Sequence, residues 1–128
     1  MNKIMNAKEL MDLNQILTLE KAKELEGKTL VITSSEYRAN QPYLRTVVVK
    51  IQTEWEWAAT NPCEGYANRQ EYWAKSLPKR VEDFKQQYVL IDTTGNHAAT
   101  CILQNPYFDI PVFTGSDIDR PVYYKVLD

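Results

Sequence analysis

The chain has 128 residues, of which 44% are hydrophobic and 25% are charged, and its formal net charge is −2. These values match an average soluble globular protein, so we expect a single domain over residues 1–128. Basic residues are scattered, and the longest basic run is Lys79-Arg80. The sequence therefore argues against a nucleic-acid or anionic-lipid partner, since both need a clustered basic surface.

The sequence shows no sign of a membrane protein or a secreted protein. No stretch reaches the roughly 18 apolar residues that span a bilayer. Polar residues interrupt residues 1–11, where a signal peptide would need an apolar run. We therefore expect a cytoplasmic protein in which the two cysteines, Cys63 and Cys101, are reduced thiols. The sequence has no Gly-rich phosphate loop, and no cofactor is expected.

The first part of the chain predicts two helices and a strand. Apolar spacing predicts a short amphipathic helix within residues 6–14. Thr18 is a preferred N-cap residue type and predicts a second helix over residues 18–26. Gly27 follows, at a point where a helix commonly ends in a left-handed residue. The apolar and β-branched residues of 28–34 predict the first strand.

Residues 44–58 alternate strictly between apolar and polar side chains, which predicts one long strand with one buried face and one exposed face. The buried face would carry Val47, Val49, Ile51, Thr53, Trp55 and Trp57. The exposed face would carry Lys50, Gln52, Glu54 and Glu56. Such a strand is unusually long, so we expect it to bend or to pair with two neighbours in succession.

The rest of the chain predicts a helical insert followed by short strands. Asn68 with Glu71 three residues later is a helix-start pattern, so helices are expected over residues 69–75 and 77–86. Alternation and turn residues then predict strands over residues 88–92, 98–103, 112–113 and 121–127.

This element order predicts an α+β fold, because helices and strands do not alternate regularly. We expect a mainly antiparallel, strongly curved sheet of about five strands. An N-terminal helix would precede it, and a helical insert would separate the long strand from the C-terminal hairpin. A partly closed barrel of the SH3-like type would accommodate the long, bent strand.

Cys63 and His97 carry the one catalytic hypothesis. A thiolate near a helix start is stabilised there, and an imidazole within reach can take its proton. The segments CEGYANRQEYW and GNHAATCIL resemble the cysteine, histidine-dependent amidohydrolase/peptidase domains. That resemblance implies a thiol hydrolase with Cys63 as nucleophile and His97 as base. The alternative interpretation is a small buried thiol and an exposed turn histidine.

A zinc site is a weaker hypothesis for the same part of the sequence. Cys63, His97 and Cys101 supply three N or S ligands, and Asp92 is the only candidate for a fourth. Structural zinc usually has four such ligands at regular spacing, which this sequence lacks. We therefore expect no bound metal there.

An acidic loop near the C-terminus contains Asp109, Asp117 and Asp119 and is followed by Arg120. We call Asp117, Asp119 and Arg120 the acidic turn. The one-residue spacing of Asp117 and Asp119 occurs in oxygen-ligand loops, but no closing glutamate follows for calcium. The alternative is a turn stabilised by its own carboxylates. We predict these residues, together with Trp55 and Trp57, as a possible interaction surface.

The sequence favours a small, soluble, non-catalytic interaction or regulatory module, because it contains no complete catalytic set. Its partner would be an unknown protein or a second copy of the chain. A Cys63–His97 thiol hydrolase remains the alternative. Glu54 with Glu56 could also form an acid–base pair, although alternating carboxylates are usually the exposed side of a strand.

Overall fold

The computed structural model describes residues 6–34 and 44–127. Its helices are α1 (Ala7–Asp12), α2 (Leu19–Glu24), α3 (Glu54–Ala59), α4 (Arg69–Ser76) and α5 (Val81–Lys85). Its strands are β1 (Thr29–Ser34), β2 (Arg45–Val48), β3 (Gln87–Ile91), β4 (His97–Ile102), β5 (Phe113–Thr114) and β6 (Val122–Val126). None of the helices in the described residues is long and apolar enough to cross a membrane.

The helix starts that the sequence predicts are confirmed by their caps. Thr18 accepts a hydrogen bond from the backbone amide of Lys21, and Asn68 accepts one from the amide of Glu71. Each bond satisfies a donor that has no partner within the helix. Gly27 has a φ of 87° in the turn from α2 into β1, a conformation that only glycine adopts without steric cost.

The long strand predicted over residues 44–58 is wrong after Val48. Strand β2 ends at Val48, and Thr53 begins α3. Thr53 Oγ1 accepts a bond of 3.1 Å from the amide of Glu56, and Glu56 Oε1 accepts one of 3.0 Å from the amide of Thr53. This reciprocal capping box satisfies two amides at the helix start and outweighs the alternation of apolar and polar residues there. Residues two apart on a helix lie on different sides, so Trp55 and Trp57 do not share a face.

The α+β class and the antiparallel pairing are confirmed, but the single curved sheet is not. The strands form two three-stranded antiparallel sheets, with orders β2-β1-β6 and β3-β4-β5. Neither sheet is closed or strongly curved, so the expected five-stranded, partly closed SH3-like barrel is wrong. The pairing of β3 with β4 shifts its register between Leu90 and Ile91.

Short connections join the two sheets. The backbone of Leu17 donates to Val122 in β6 and accepts from Phe113 in β5, each at 2.9 Å. On the opposite side, Val47 of β2 forms an isolated bridge with Asp92, next to β3. The sheets therefore share one core, which contains Leu17, Leu30, Ile32, Val47, Leu90, Cys101, Phe113 and Val122 among its buried residues.

The helical insert, residues 54–85, packs around a second and smaller cluster. Trp73 and Phe84 stack with ring centroids 4.1 Å apart, and both side chains are buried together with Ala58. Trp57 lies 6.5 Å from Trp73, measured between ring centroids. This cluster brings α3, α4 and α5 together and places the start of α3 beside the N-terminal end of β4.

Candidate functional site

The closest side-chain pair between these elements is Glu54 with His97. Glu54 is the first residue of α3, and His97 is the first residue of β4. Glu54 Oε1 lies 2.6 Å from His97 Nε2. The Glu54 side chain is 8% exposed and the His97 side chain is 38% exposed. A buried carboxylate is costly unless it is paired, so His97 provides the compensating partner.

The imidazole ring of His97 is held on a second side as well. The ring packs edge-on against Trp57, with centroids 4.4 Å apart at 81°. The bond to Glu54 involves Nε2, and Nδ1 has no hydrogen-bond partner in residues 6–34 and 44–127. Because Nε2 is bonded to Glu54, Nδ1 is the ring nitrogen that remains for a further hydrogen bond.

A second buried carboxylate holds an arginine nearby. Asp92 Oδ2 accepts a bond of 2.8 Å from Arg45 Nη1, and the Asp92 side chain is almost fully buried. Its other oxygen, Oδ1, accepts from the Thr94 hydroxyl and from the amides of Thr94 and Asn96. The Thr94 hydroxyl, the Asn96 amide and the Arg45 guanidinium together lower the pKa of Asp92 to about 2. Asp92 is therefore ionised at neutral pH and fixes Arg45.

Arg45 and His97 line one cleft of about 310 Å³. The other lining residues are Ala98, Ala99, Thr100, Gly115 and Ser116. The cleft exists because β5 pairs only with Thr100 and Cys101 of β4 and the chain turns away at Gly115. Residues 97–99 of β4 consequently pair with β3 on one side only, among the residues described. Among the residues that the structure describes, the lining of this cleft contains no carboxylate.

Cys63 lies in the turn after α3, where it forms a bridge with Tyr66. Within the described part of the chain, no hydrogen bond joins Cys63 to His97, whose Nε2 is bonded to Glu54. The proposed nucleophile–base pair therefore stays a prediction. The second thiol, Cys101, is fully buried in the core. Burial raises the pKa of Cys101 to about 12, which makes that thiol a poor nucleophile at neutral pH.

The candidate zinc ligands do not come together. In residues 6–34 and 44–127, no group of three or more His, Cys, Asp or Glu side chains could hold a metal ion. The proposed acid–base pair of Glu54 and Glu56 is wrong. The two residues belong to a helix and not to a strand, so they do not share one exposed face. Glu54 is buried against His97, and Glu56 caps α3.

Trp55 and Trp57 are partly buried against the cluster of the helical insert. Lys85 lies over the Trp55 ring at 5.5 Å, and Arg69 lies over the Trp57 ring at 5.6 Å. These contacts are those of tryptophans that pack within the helical insert.

The acidic turn lies in the loop between β5 and β6, beside a group of exposed apolar side chains. Asp119 is exposed, whereas Asp117 and Arg120 are half-buried. Ile118 between them is 41% exposed, and Tyr107 in the preceding loop is 62% exposed. The side chain of Asn105, itself buried, donates to the Ile118 carbonyl at 2.7 Å and accepts from the Tyr107 amide at 3.0 Å. We call the exposed apolar residues of these two loops the loop surface: Leu103, Tyr107, Ile110 and Ile118.

The sequence interpretation missed Arg45 and Asn105 as site residues, and it named Glu54 only as a partner of Glu56, on the exposed side of a strand. For Glu54 the missing signal was Thr53 with Glu56 three residues later, the same pattern that correctly predicted α4. For Asn105 the signal was an asparagine before Pro106, a residue type that bonds its own turn. Nothing in the local sequence marks Arg45, because its partner Asp92 is 47 residues away.

Comparison of the chain with protein-family models, with curated proteins and with solved structures finds no match.

Proposed function

We propose that this protein is a small interaction module and that the loop surface is where its protein partner binds. The observation that carries the proposal is Asn105, a buried side chain whose two hydrogen bonds fix Tyr107 and Ile118. These bonds hold the backbone that carries the exposed apolar side chains. A surface that is ordered before binding loses less conformational entropy on association.

The distribution of exposed apolar side chains supports this proposal. Half of the exposed large hydrophobic residues in the described chain belong to the loop surface, and the others are scattered over Leu13, Ile16, Val48 and Leu127. Two of the four loop-surface residues, Tyr107 and Ile118, are held together through Asn105, and exposed apolar residues that lie together usually mark a contact with another molecule. Covering them would contribute about 25 cal/mol for each Å² of apolar area removed from water.

The charges in these loops indicate the chemistry of the partner. Residues 103–120 contain three carboxylates, from Asp109, Asp117 and Asp119, and one basic residue, Arg120. A partner segment that carries apolar residues beside lysine or arginine would complement this arrangement, and the charges would speed association and favour the correct partner. A partner strand could in principle pair with an exposed sheet edge. This alternative is weaker, because Leu17 covers part of β5 and the segment around Asp92 covers part of β2.

Ile118→Asp tests the proposal, with Leu13→Asp as the matched control. The two residues have nearly equal exposure, 41% and 42%, and Leu13 lies outside the loop surface. A photo-crosslinking amino acid at position 107 in the source cells should capture a defined protein. Ile118→Asp should abolish that capture, and Leu13→Asp should leave it unchanged. Equal capture by both variants would contradict the proposal.

Sedimentation of the purified protein identifies the case in which the partner is a second copy. A concentration-dependent dimer that Ile118→Asp dissociates and Leu13→Asp retains would assign the loop surface to self-association. A dimer that neither variant disturbs would place the self-contact elsewhere on the molecule.

A further inference from the structure

We propose that the cleft beside β4 binds a small organic monocarboxylate, held between Arg45 and His97. This site is separate from the loop surface, and the inference does not depend on the function proposed above.

The lining of the cleft is suited to an anion. Within residues 6–34 and 44–127, the charged or titratable side chains of the lining are the Arg45 guanidinium and the His97 imidazole, and Thr100 and Ser116 add hydroxyl groups. Guanidinium and imidazolium groups are the usual partners of carboxylates, and hydroxyls can donate to the same oxygens. An acidic side chain in the lining would repel an anion, and the described part of the lining contains none.

Buried carboxylates position both basic groups. Asp92 bonds Arg45 at 2.8 Å, and Glu54 bonds His97 at 2.6 Å. Burying two carboxylates is a costly way to stabilise a small fold, since apolar residues of similar size often serve as well. The same arrangement is effective for fixing donors before a ligand arrives, which reduces the entropy lost on binding.

The two ring nitrogens of His97 have different roles in this site. Nε2 is bonded to Glu54, whereas Nδ1 has no hydrogen-bond partner among the residues described. In the imidazolium form both nitrogens donate, so Nε2–H bonds Glu54 and Nδ1–H is available for a ligand oxygen.

The two donors that Arg45 and His97 offer suit a carboxylate. A carboxylate brings one charge and two oxygens, which suits one guanidinium and one imidazolium. The volume of about 310 Å³ limits the ligand to a small molecule.

The chain contains a single histidine, so its imidazole signals in a proton–nitrogen NMR spectrum report on His97 alone. We expect propionate and benzoate to shift these signals saturably. Propionamide and benzamide, which have nearly the same shape without the charge, should shift them at least about tenfold less readily. No saturable shift with either acid, or equal shifts with acids and amides, would overturn the proposal. Inorganic phosphate that binds as tightly as the acids would also overturn it.

Arg45→Gln provides the second test, with Lys79→Gln as a control that removes the same charge from an exposed residue outside the cleft. Arg45→Gln should weaken propionate and benzoate binding about tenfold or more, and Lys79→Gln should leave it unchanged. Because Arg45 also supports Asp92, Ser116→Asp is a further variant that adds a carboxylate at an exposed lining position. It should abolish binding with the fold intact. Retained binding in Ser116→Asp would contradict the assignment of the cleft.

Discussion

Glu54 shows how one misassigned residue changes the chemistry of a region. As a strand residue it would lie on an exposed face, whereas as the first residue of α3 its carboxylate is buried against His97. The buried Glu54 carboxylate needs His97 to offset the cost of its burial, and the position of the His97 imidazole is fixed by Glu54.

We expect Glu54→Ala to lower the free energy of unfolding by about 1–3 kcal/mol, because it removes a hydrogen bond with a charged group and leaves His97 Nε2 without its partner. Glu82→Ala is the control, since the Glu82 side chain is 75% exposed and its loss should cost within about 0.5 kcal/mol. Urea unfolding of both variants measures the difference. Equal costs would mean that the Glu54–His97 bond contributes nothing measurable.

The sequence singled out His97 but could not supply its partner. His97 is the only histidine in the chain, so the sequence alone identifies it as a candidate functional residue. Glu54 is 43 residues away, and only the packing of α3 against the second sheet brings the two together. Cys63 could be recognised as a reactive residue type, but its position relative to His97 depends on the same packing.

Among the secondary-structure elements, local capping chemistry predicted more than periodicity did. Asn68 and Thr18 identified α4 and α2 from the sequence, because a cap bond involves residues three apart. At residues 54–57 a two-residue repeat of Glu and Trp favoured a strand, although Thr53 and Glu56 favoured a helix. The capping box favours the helix, because it satisfies two amides that have no partner within the helix.

The turn between β3 and β4 is organised by Asp92 and predicts a specific response to acid. The pKa of Asp92 is lowered from 3.8 to about 2 in the folded chain. A lowered folded-state pKa means that the carboxylate contributes stability above its unfolded pKa and loses it as the pH falls towards 2. The free energy of unfolding should therefore decrease between about pH 4 and pH 2, and Asp92→Asn should decrease less over that interval. Parallel curves for the two proteins, measured by urea unfolding at each pH, would contradict this assignment.

For the molecule as a whole, the fold class was predictable and the division into two sheets was not. The element order indicated α+β with antiparallel strands, which is confirmed. The connection between the sheets depends on Leu17, which lies in a segment too short to appear as a strand in the sequence. No local sequence pattern predicts that the backbone of Leu17 donates a hydrogen bond to β6 and accepts one from β5.

Leu17→Ala should lower the free energy of unfolding by about 2–5 kcal/mol, because Leu17 is fully buried in the core that both sheets share. Leu13→Ala, at an exposed position four residues earlier, should cost within about 0.5 kcal/mol. A shared core also predicts that the two sheets unfold together, so amide hydrogen exchange in β1 and in β4 should give the same free energy of opening. Different values for the two strands would show that the sheets unfold independently.

The loop between β5 and β6 contributes Ser116 to the cleft and Ile118 to the loop surface, with only Asp117 between them. A ligand in the proposed cleft that changes the conformations available to these three residues would also change the affinity of the loop surface for its proposed partner. By thermodynamic reciprocity, each occupant would change the affinity for the other by the same factor.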